Sequence, residues 1–415
     1  MTFLLLLAGA ASLVLLISAL TNRMPPKWDM QCYLDMATNG LIGNKALVAP
    51  FAYRPGAPLL VGGIARLLHS DPLATFRACA HIAGTAFILC CFYFAKATGG
   101  RRGAAALSAF TLALYFYIVK WPLFAGEMVD IYAYPLILFA FWALLRERFY
   151  LCLLISGVGL FFKEFLLLPL LTQAVLVSVR NRGQGWKKIA KPAGLTALVL
   201  VLCFLLPRLV IHVVQTFQDI DPINQPSTLQ RLYLYPLSRR RDFNIVFAYL
   251  AWWLPVLLLS NRQRLRAMWE RIRPYRMACV VYLAFHFLLV MYGGTNLAIF
   301  VTYSLPVQIL VLVAILDGGG VPPWEKAAMI GAVIVFNRLW MHIPVPQEQP
   351  QAYLEFYGGY HMLVTARSVA RMAELLSWIL GFWIARGLVT RVAQRRWDLA
   401  SAHGRVEEIS DGVAK

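Results

Sequence analysis

The chain has 415 residues, of which 60% are hydrophobic and only 14% charged, with a mean hydropathy of +0.63. Apolar runs of about 17 to 24 residues recur along it, each close to the ~20 that a helix needs to cross the hydrocarbon core, which excludes a soluble multidomain enzyme, a transmembrane barrel and a disordered or disulfide-stapled secreted chain. Lys and Arg outnumber Asp and Glu by 39 to 20, a formal charge of +19, but the basic residues cluster between apolar runs, so they mark topology, and no soluble segment is large enough for a nucleic-acid surface.

Hydropathy predicts an all-α integral membrane protein with about twelve spans, near residues 3–20, 73–97, 104–119, 130–145, 149–162, 165–179, 192–213, 245–260, 277–292, 297–316, 327–341 and 369–386. The first run lacks a basic leader region and an A-x-A site, so it reads as a helix and not a cleaved signal. Residues 1–390 form one transmembrane domain, with 21–72 as its first extracytoplasmic loop, and 391–415 form a cytoplasmic tail that reads as disordered after Trp397. Six of the seven cysteines lie inside apolar runs, so no disulfide or metal spacing is available.

Orientation follows the basic residues. With the amino terminus inside, about 23 of them fall on the cytoplasmic side and about 16 outside. Arg101-Arg102, the Arg180 to Lys191 loop, the Arg262 to Arg276 loop and the tail contribute most, while Arg23 and Lys27 locally favour the reverse. Both termini are thus expected in the cytoplasm of a multi-pass protein of the cell membrane, a bacterial inner membrane. The long loops 21–72, 214–244 and 342–368 then share the outer side, which makes that the working face.

The first outer loop carries the most chemistry. If Asp29 to Ala37 is helical, Asp29, Tyr33 and Ala37 share one face. A carboxylate just outside the bilayer under an apolar lid can serve as general base, because partial desolvation raises its pKa toward working pH; the plainer role is a helix cap or an interfacial pair with Arg54.

Asp-x-x-x-Tyr after a first apolar helix, followed by Tyr53-Arg54-Pro55-Gly56-Ala57-Pro58 leading into another, resembles the GT-C superfamily of polytopic glycosyltransferases over about the first 70 residues. The resemblance implies sugar transfer from a polyprenyl-phosphate-linked donor to a glycan, lipid or protein acceptor, with Asp29 as base. In many members an acid or Gln follows the Asp at once; here Met30 follows and the nearest acid is Asp35, so the single base is kept and a metal-binding acidic pair is not. An outward-facing site has no supply of nucleotide sugars, which independently favours a donor carried in the membrane lipid.

The leaving phosphate calls for cations on the outer side. Candidates are Arg54, Lys163 beside Glu164 between two short apolar runs, and Arg239 and Arg240 before the eighth span, the last two with phospholipid anchoring as the plainer role. Glu127 and Asp130, spaced to share a helical face, are expected to orient the acceptor or help hold a divalent ion, or simply to favour a helix amino terminus. Tyr33, Asp35, Tyr53, Glu164, Tyr360 and His361 complete the expected acceptor and sugar contacts. His81 and His286 fall inside spans and read as core histidines.

The competing class is a secondary transporter or lipid-linked-substrate flippase of about twelve spans. Gly99 to Gly103 partly matches a glycine- and arginine-rich transporter signature, but the two halves show no repeat and few polar residues lie within the spans. A third class is an outer-face enzyme such as an O-antigen ligase or polymerase, which would share the donor and rely more on Arg.

Overall fold

A computed structural model of the chain describes residues 3–26, 29–44, 47, 51–183, 186–214, 239–293, 296–318, 320–345, 348–357 and 366–413. All regular structure among them is helical: α1 (Phe3–Ala19), α2 (Asp29–Asn39), α3 (Gly56–Leu67), α4 (Pro72–Ala97), α5 (Arg102–Ala113), α6 (Trp121–Phe124), α7 (Asp130–Leu145), α8 (Phe149–Gly159), α9 (Leu167–Arg180) and α10 (Trp186–Leu200) make the first half. The second half holds α11 (Leu206–Val214), α12 (Arg239–Trp252), α13 (Leu254–Leu259), α14 (Arg262–Arg271), α15 (Arg276–Tyr292), α16 (Leu297–Thr302), α17 (Leu305–Gly318), α18 (Pro323–Phe336), α19 (Pro350–Tyr357) and α20 (Ala366–Val413).

Among the described residues, four helical stretches are long and apolar enough to cross a membrane: 72–97, 188–211, 273–292 and 368–392; a fifth counts if α5 and the segment 116–124, bent by 66°, form one broken span. Large apolar side chains such as Leu4, Leu15, Ile82, Leu154, Leu209 and Ile384 stand exposed, as expected of surfaces that face lipid.

Several runs that the sequence reads as continuous are broken. The run near 104–119 stops at Ala113 and turns through an extended Tyr115 into a π-helical segment, 116–120. The run near 245–260 breaks at Trp253, and the run near 297–316 breaks at Tyr303 and Ser304. Irregular backbone at such depth is tolerated only where protein satisfies its polar groups, and here buried side chains do so. Asn337 Oδ1 accepts from the Phe116 amide at 3.1 Å. Tyr115 Oη and Gln308 Nε2 donate to the Trp252 carbonyl at 2.7 and 2.5 Å, and Tyr282 Oη donates to the Tyr303 carbonyl at 2.7 Å.

The loops sort to two ends of the bundle. At one end Arg271 reaches the Gly99 carbonyl and Asp317, Asp317 also accepts from the Arg101 amide, and Arg180 pairs with Glu147. Glu325 is clasped there by Arg264 and Arg386. At the other end Asn22 and Ile343 exchange two hydrogen bonds, and the Met24 amide donates to the Phe124 carbonyl. The described parts of the expected outer loops 21–72 and 342–368 meet at this second end; most of the loop 214–244 lies outside the described residues. The tail read as disordered after Trp397 continues instead as backbone helix in α20 to Val413; no proline interrupts it.

Candidate functional site

Helix α2 lies across the second end of the bundle. Its apolar residues recur so that Met30, Tyr33 and Ala37 face inward with Cys32 and Met36, while Gln31 and Thr38 face out. The expected Asp29, Tyr33 and Ala37 face is present. Tyr33 and Ala37 are buried against Ala57, Val61, Phe76 and Val129, and a Cβ on Gly62 would stand 2.2 Å from the Ala37 carbonyl oxygen, so α3 touches α2 backbone to backbone. Asp29 begins the helix, where the dipole favours its charge.

The loop that carries Arg54 is fixed by the α8 to α9 turn. The Gly56 amide donates to the Phe161 carbonyl at 2.8 Å, and a Cβ at Gly56 would come within 2.7 Å of the Phe162 ring. That contact presents Arg54 to Glu164: Nε and Nη2 donate to the two carboxylate oxygens at 2.9 and 2.7 Å, and Nη1 donates to Tyr33 Oη at 3.2 Å. Burial works to raise the Glu164 carboxyl, but Arg54 and then Lys163 outweigh it and hold it at about 2. Lys163 turns the other way, to Asp130 Oδ1 at 2.8 Å, and Tyr303 Oη donates to the same oxygen at 2.7 Å. Phe165 stacks on Tyr303 with centroids 4.3 Å apart and roofs this buried triad.

Asp29 is the exception among these acids. Among the described residues it forms no ion pair, although Lys163, Arg54 and Asp130 all act on it. Burial is the largest influence and raises its pKa; Lys163 and Arg54 pull it down, and Asp130 pushes it up. The plainer pairing of Asp29 with Arg54 is therefore absent, because Glu164 occupies that guanidinium in a two-point grip. Tyr353 of α19 also feels the Asp29 charge, so the last outer loop reaches this site.

Glu127 and Asp130 do not share a helix, contrary to expectation: Glu127 lies in the turn before α7, and Asp130 starts α7. Both are 1% exposed, and Glu127 Oε1 and Asp130 Oδ2 accept no hydrogen bond from any described residue. Burial first, and then Asp29, carry the Glu127 carboxyl up to about 7 against its backbone hydrogen bond and the pull of Arg77. Among the described residues no group of three or more His, Cys, Asp and Glu side chains is arranged to hold a metal ion.

Lys163 and Glu164 do not form a surface pair with each other, since Lys163 is taken by Asp130 at the start of α7 and Glu164 by Arg54 in the loop before α3. Asp35 lies off the Asp29 face and accepts from Gln31 at 3.0 Å. Tyr53 sits under Arg208, whose guanidinium is 5.7 Å from its ring and 3.7 Å from that of Phe204. Arg239 and Arg240 begin α12, but their side chains lie outside the described residues, as do Tyr360 and His361. Their neighbour Arg241 is buried and donates to the carbonyls of Val290, Met291 and Gly293, closing the end of α15. His286 is a satisfied core histidine as expected, held by Tyr249 and the Phe300 carbonyl.

Sequence reasoning missed Arg77, Arg208, Tyr303 and Tyr353. A signal existed for the two arginines: each is an ionisable residue inside a predicted span, which marks a functional candidate. Tyr303 carried none, because a tyrosine in an apolar run reads as packing. Comparison with protein-family models, curated proteins and solved structures finds no match.

Proposed function

We propose that the protein is a GT-C-like glycosyltransferase of about twelve spans, the shorter apolar helices completing the set, working at the extracytoplasmic face on a polyprenyl-phosphate-linked sugar. The observation that carries this reading is the contrast among the acids of the site. Glu164 and Asp130 are each bound to a cation, while Asp29, on the same end of the bundle, is half-buried, makes no ion pair with a described residue and is raised in pKa by desolvation. A carboxylate so placed is suited to accept a proton near neutral pH.

In this mechanism the acceptor hydroxyl approaches Asp29, its oxygen bonds to the anomeric carbon, and its proton passes to the carboxylate. The bond from the anomeric carbon to the phosphate oxygen breaks, and the polyprenyl phosphate leaves with the electron pair. Arg54 acts as a positioning residue: fixed by Glu164, it holds Tyr33 and hence the first turns of α2. Lys163 and Asp130 hold the floor beneath Asp29. With Lys163 and Arg54 both neutralised by carboxylates, neither has the free charge that a leaving phosphate needs.

The test is transfer by purified protein in nanodiscs, offered labelled polyprenyl-phosphate monosaccharides with a lipid extract as acceptor. Transfer or slow donor hydrolysis by wild type supports the reading. A folded protein that turns over no donor while moving polar solutes across sealed vesicles supports the transporter class instead.

A further inference from the structure

The proposed reaction needs a place for the donor's long isoprenoid chain and a cation for its phosphate, and the pairing of Arg54 and Lys163 leaves the cation to be found elsewhere. A groove of about 400 Å³ runs between α1 and α4, with Leu7, Ala11 and Leu15 on one wall and Ile82, Ala86 and Leu89 on the other. It is almost wholly apolar. Its width follows from sequence: the small side chains of Ala11 and Ala86 leave room in the middle.

The groove has a polar head. On α4 the residues 77, 81, 85 and 89 recur every four positions and form one stripe, so Arg77 stands one turn beyond His81. His81 joins the two helices there: Nδ1 donates to the Arg77 carbonyl at 2.7 Å, and Nε2 lies 2.9 Å from Ser18 Oγ of α1. Since a carbonyl only accepts, Nδ1 carries the proton and Nε2 accepts from the serine. The Arg77 stem passes Gly126, where an added Cβ would meet its Cγ at 3.1 Å, and its charge acts on Glu127, which also feels Asp29. Among the described residues Arg77 makes no ion pair within 4 Å.

We infer that the groove between α1 and α4 seats the polyprenyl chain of the donor and that Arg77 binds its phosphate. This inference rests on the proposed function and adds the location of the lipid, its path of entry from the bilayer between α1 and α4, and a phosphate ligand absent from the motif loop. An apolar channel open to lipid, with Arg77 one helical turn beyond the His81 at its end and in no ion pair with a described residue, matches an isoprenoid phosphate in both chemistry and polarity. Arg208, another cation near the site, is spread over the Phe204 and Tyr53 rings and donates to the Phe204 carbonyl at 3.0 Å.

The experiment uses a diazirine-bearing polyprenyl phosphate without sugar, photolysed with the full-length protein in nanodiscs, with labelled peptides mapped by mass spectrometry. Labelling is expected on α1 and α4, competed by unlabelled polyprenyl phosphate and not by equal phosphatidylglycerol. Arg77→Ala and the groove-filling Ala86→Trp should each weaken binding about tenfold or more, while Leu154→Trp on the lipid face of α8 leaves it unchanged. Arg77→Lys should recover part of the loss, which separates a phosphate contact from a folding defect. Competed labelling that maps beside Tyr53 and Phe204 overturns the inference and leaves the transferase reading standing. Labelling that phosphatidylglycerol competes equally makes this an ordinary lipid groove and overturns it too. No specific labelling anywhere overturns both.

Discussion

Replacing Asp29 by Asn isolates one proton acceptor with almost no change of shape. Asp29 makes no ion pair in the described structure, so no buried cation is orphaned by the change, and Asn keeps the length and planarity of the side chain at the start of α2. If Asp29 is the general base, transfer should fall about 10²- to 10⁴-fold, the range for removing such a group, or about 3–5 kcal/mol of transition-state stabilisation at ~1.36 kcal/mol per tenfold. Stability should move the opposite way from an ordinary loss. Burial raises the folded-state pKa of Asp29 above its unfolded value, so the protonated form is the one the fold prefers. Its contribution to stability is full below the unfolded carboxyl pKa and is lost as pH rises through the raised value. At neutral pH the charged group therefore opposes folding, and Asp29→Asn should leave Tm equal or higher. Turnover of labelled donor in nanodiscs, run beside a thermal-unfolding scan of the same preparation, reads both quantities. Wild-type transfer should also climb with pH through a pKa above the usual carboxylate range, and the variant should lack that limb. Activity within tenfold of wild type, or a Tm lowered by several degrees, would refute the assignment and move the base to Glu127 or Asp130.

Lys163→Met should destabilise by about 3–5 kcal/mol, because it leaves Asp130 buried and uncompensated; adding Asp130→Asn should restore much of that loss in a denaturant titration, and no recovery would show the pair is not the cause. Gly62→Ala should cost about 1–3 kcal/mol and slow transfer, since its Cβ must push the Ala37 carbonyl away from 2.2 Å and shift α2 with Asp29; unchanged turnover would mean that Asp29 placement is not limiting. Glu127 titrates near 7 in the fold, so its contribution to stability is present below its unfolded pKa of about 4.3 and is lost as pH rises to about 7. Glu127→Gln should therefore flatten the decline of Tm across that window, and a slope equal to that of wild type would exclude Glu127 as its source.

Much of this was written in the order of residues alone. Apolar runs of membrane length required helices, since backbone amides in hydrocarbon must pair within their own segment, and the predicted runs fall mainly on helix, four described stretches of it long enough to span. The period of α2 set Asp29 and Tyr33 on one face before any contact was known. What the residue order could not determine were interactions between distant helices. Arg54 and Glu164 are 110 residues apart, and each had nearer partners of opposite charge in sequence, Asp29 for one and Lys163 for the other. The crossing of α3 against the α8 to α9 turn, set by Gly56 on Phe162, chose otherwise and thereby left Asp29 alone. The helix break at Tyr115 was equally hidden, with neither Pro nor Gly beside it, whereas Pro255 and Pro306, each at the second position of the helix that follows, mark the breaks at Trp253 and at Tyr303 and Ser304. The groups that satisfy the exposed backbone, Asn337, Gln308 and Tyr282, arrive from other helices. Hydrophobicity acts through composition and is local enough to read along the chain. Desolvated charges and freed backbone groups are settled by whichever partner lies within hydrogen-bond reach, and only the packed bundle fixes that distance.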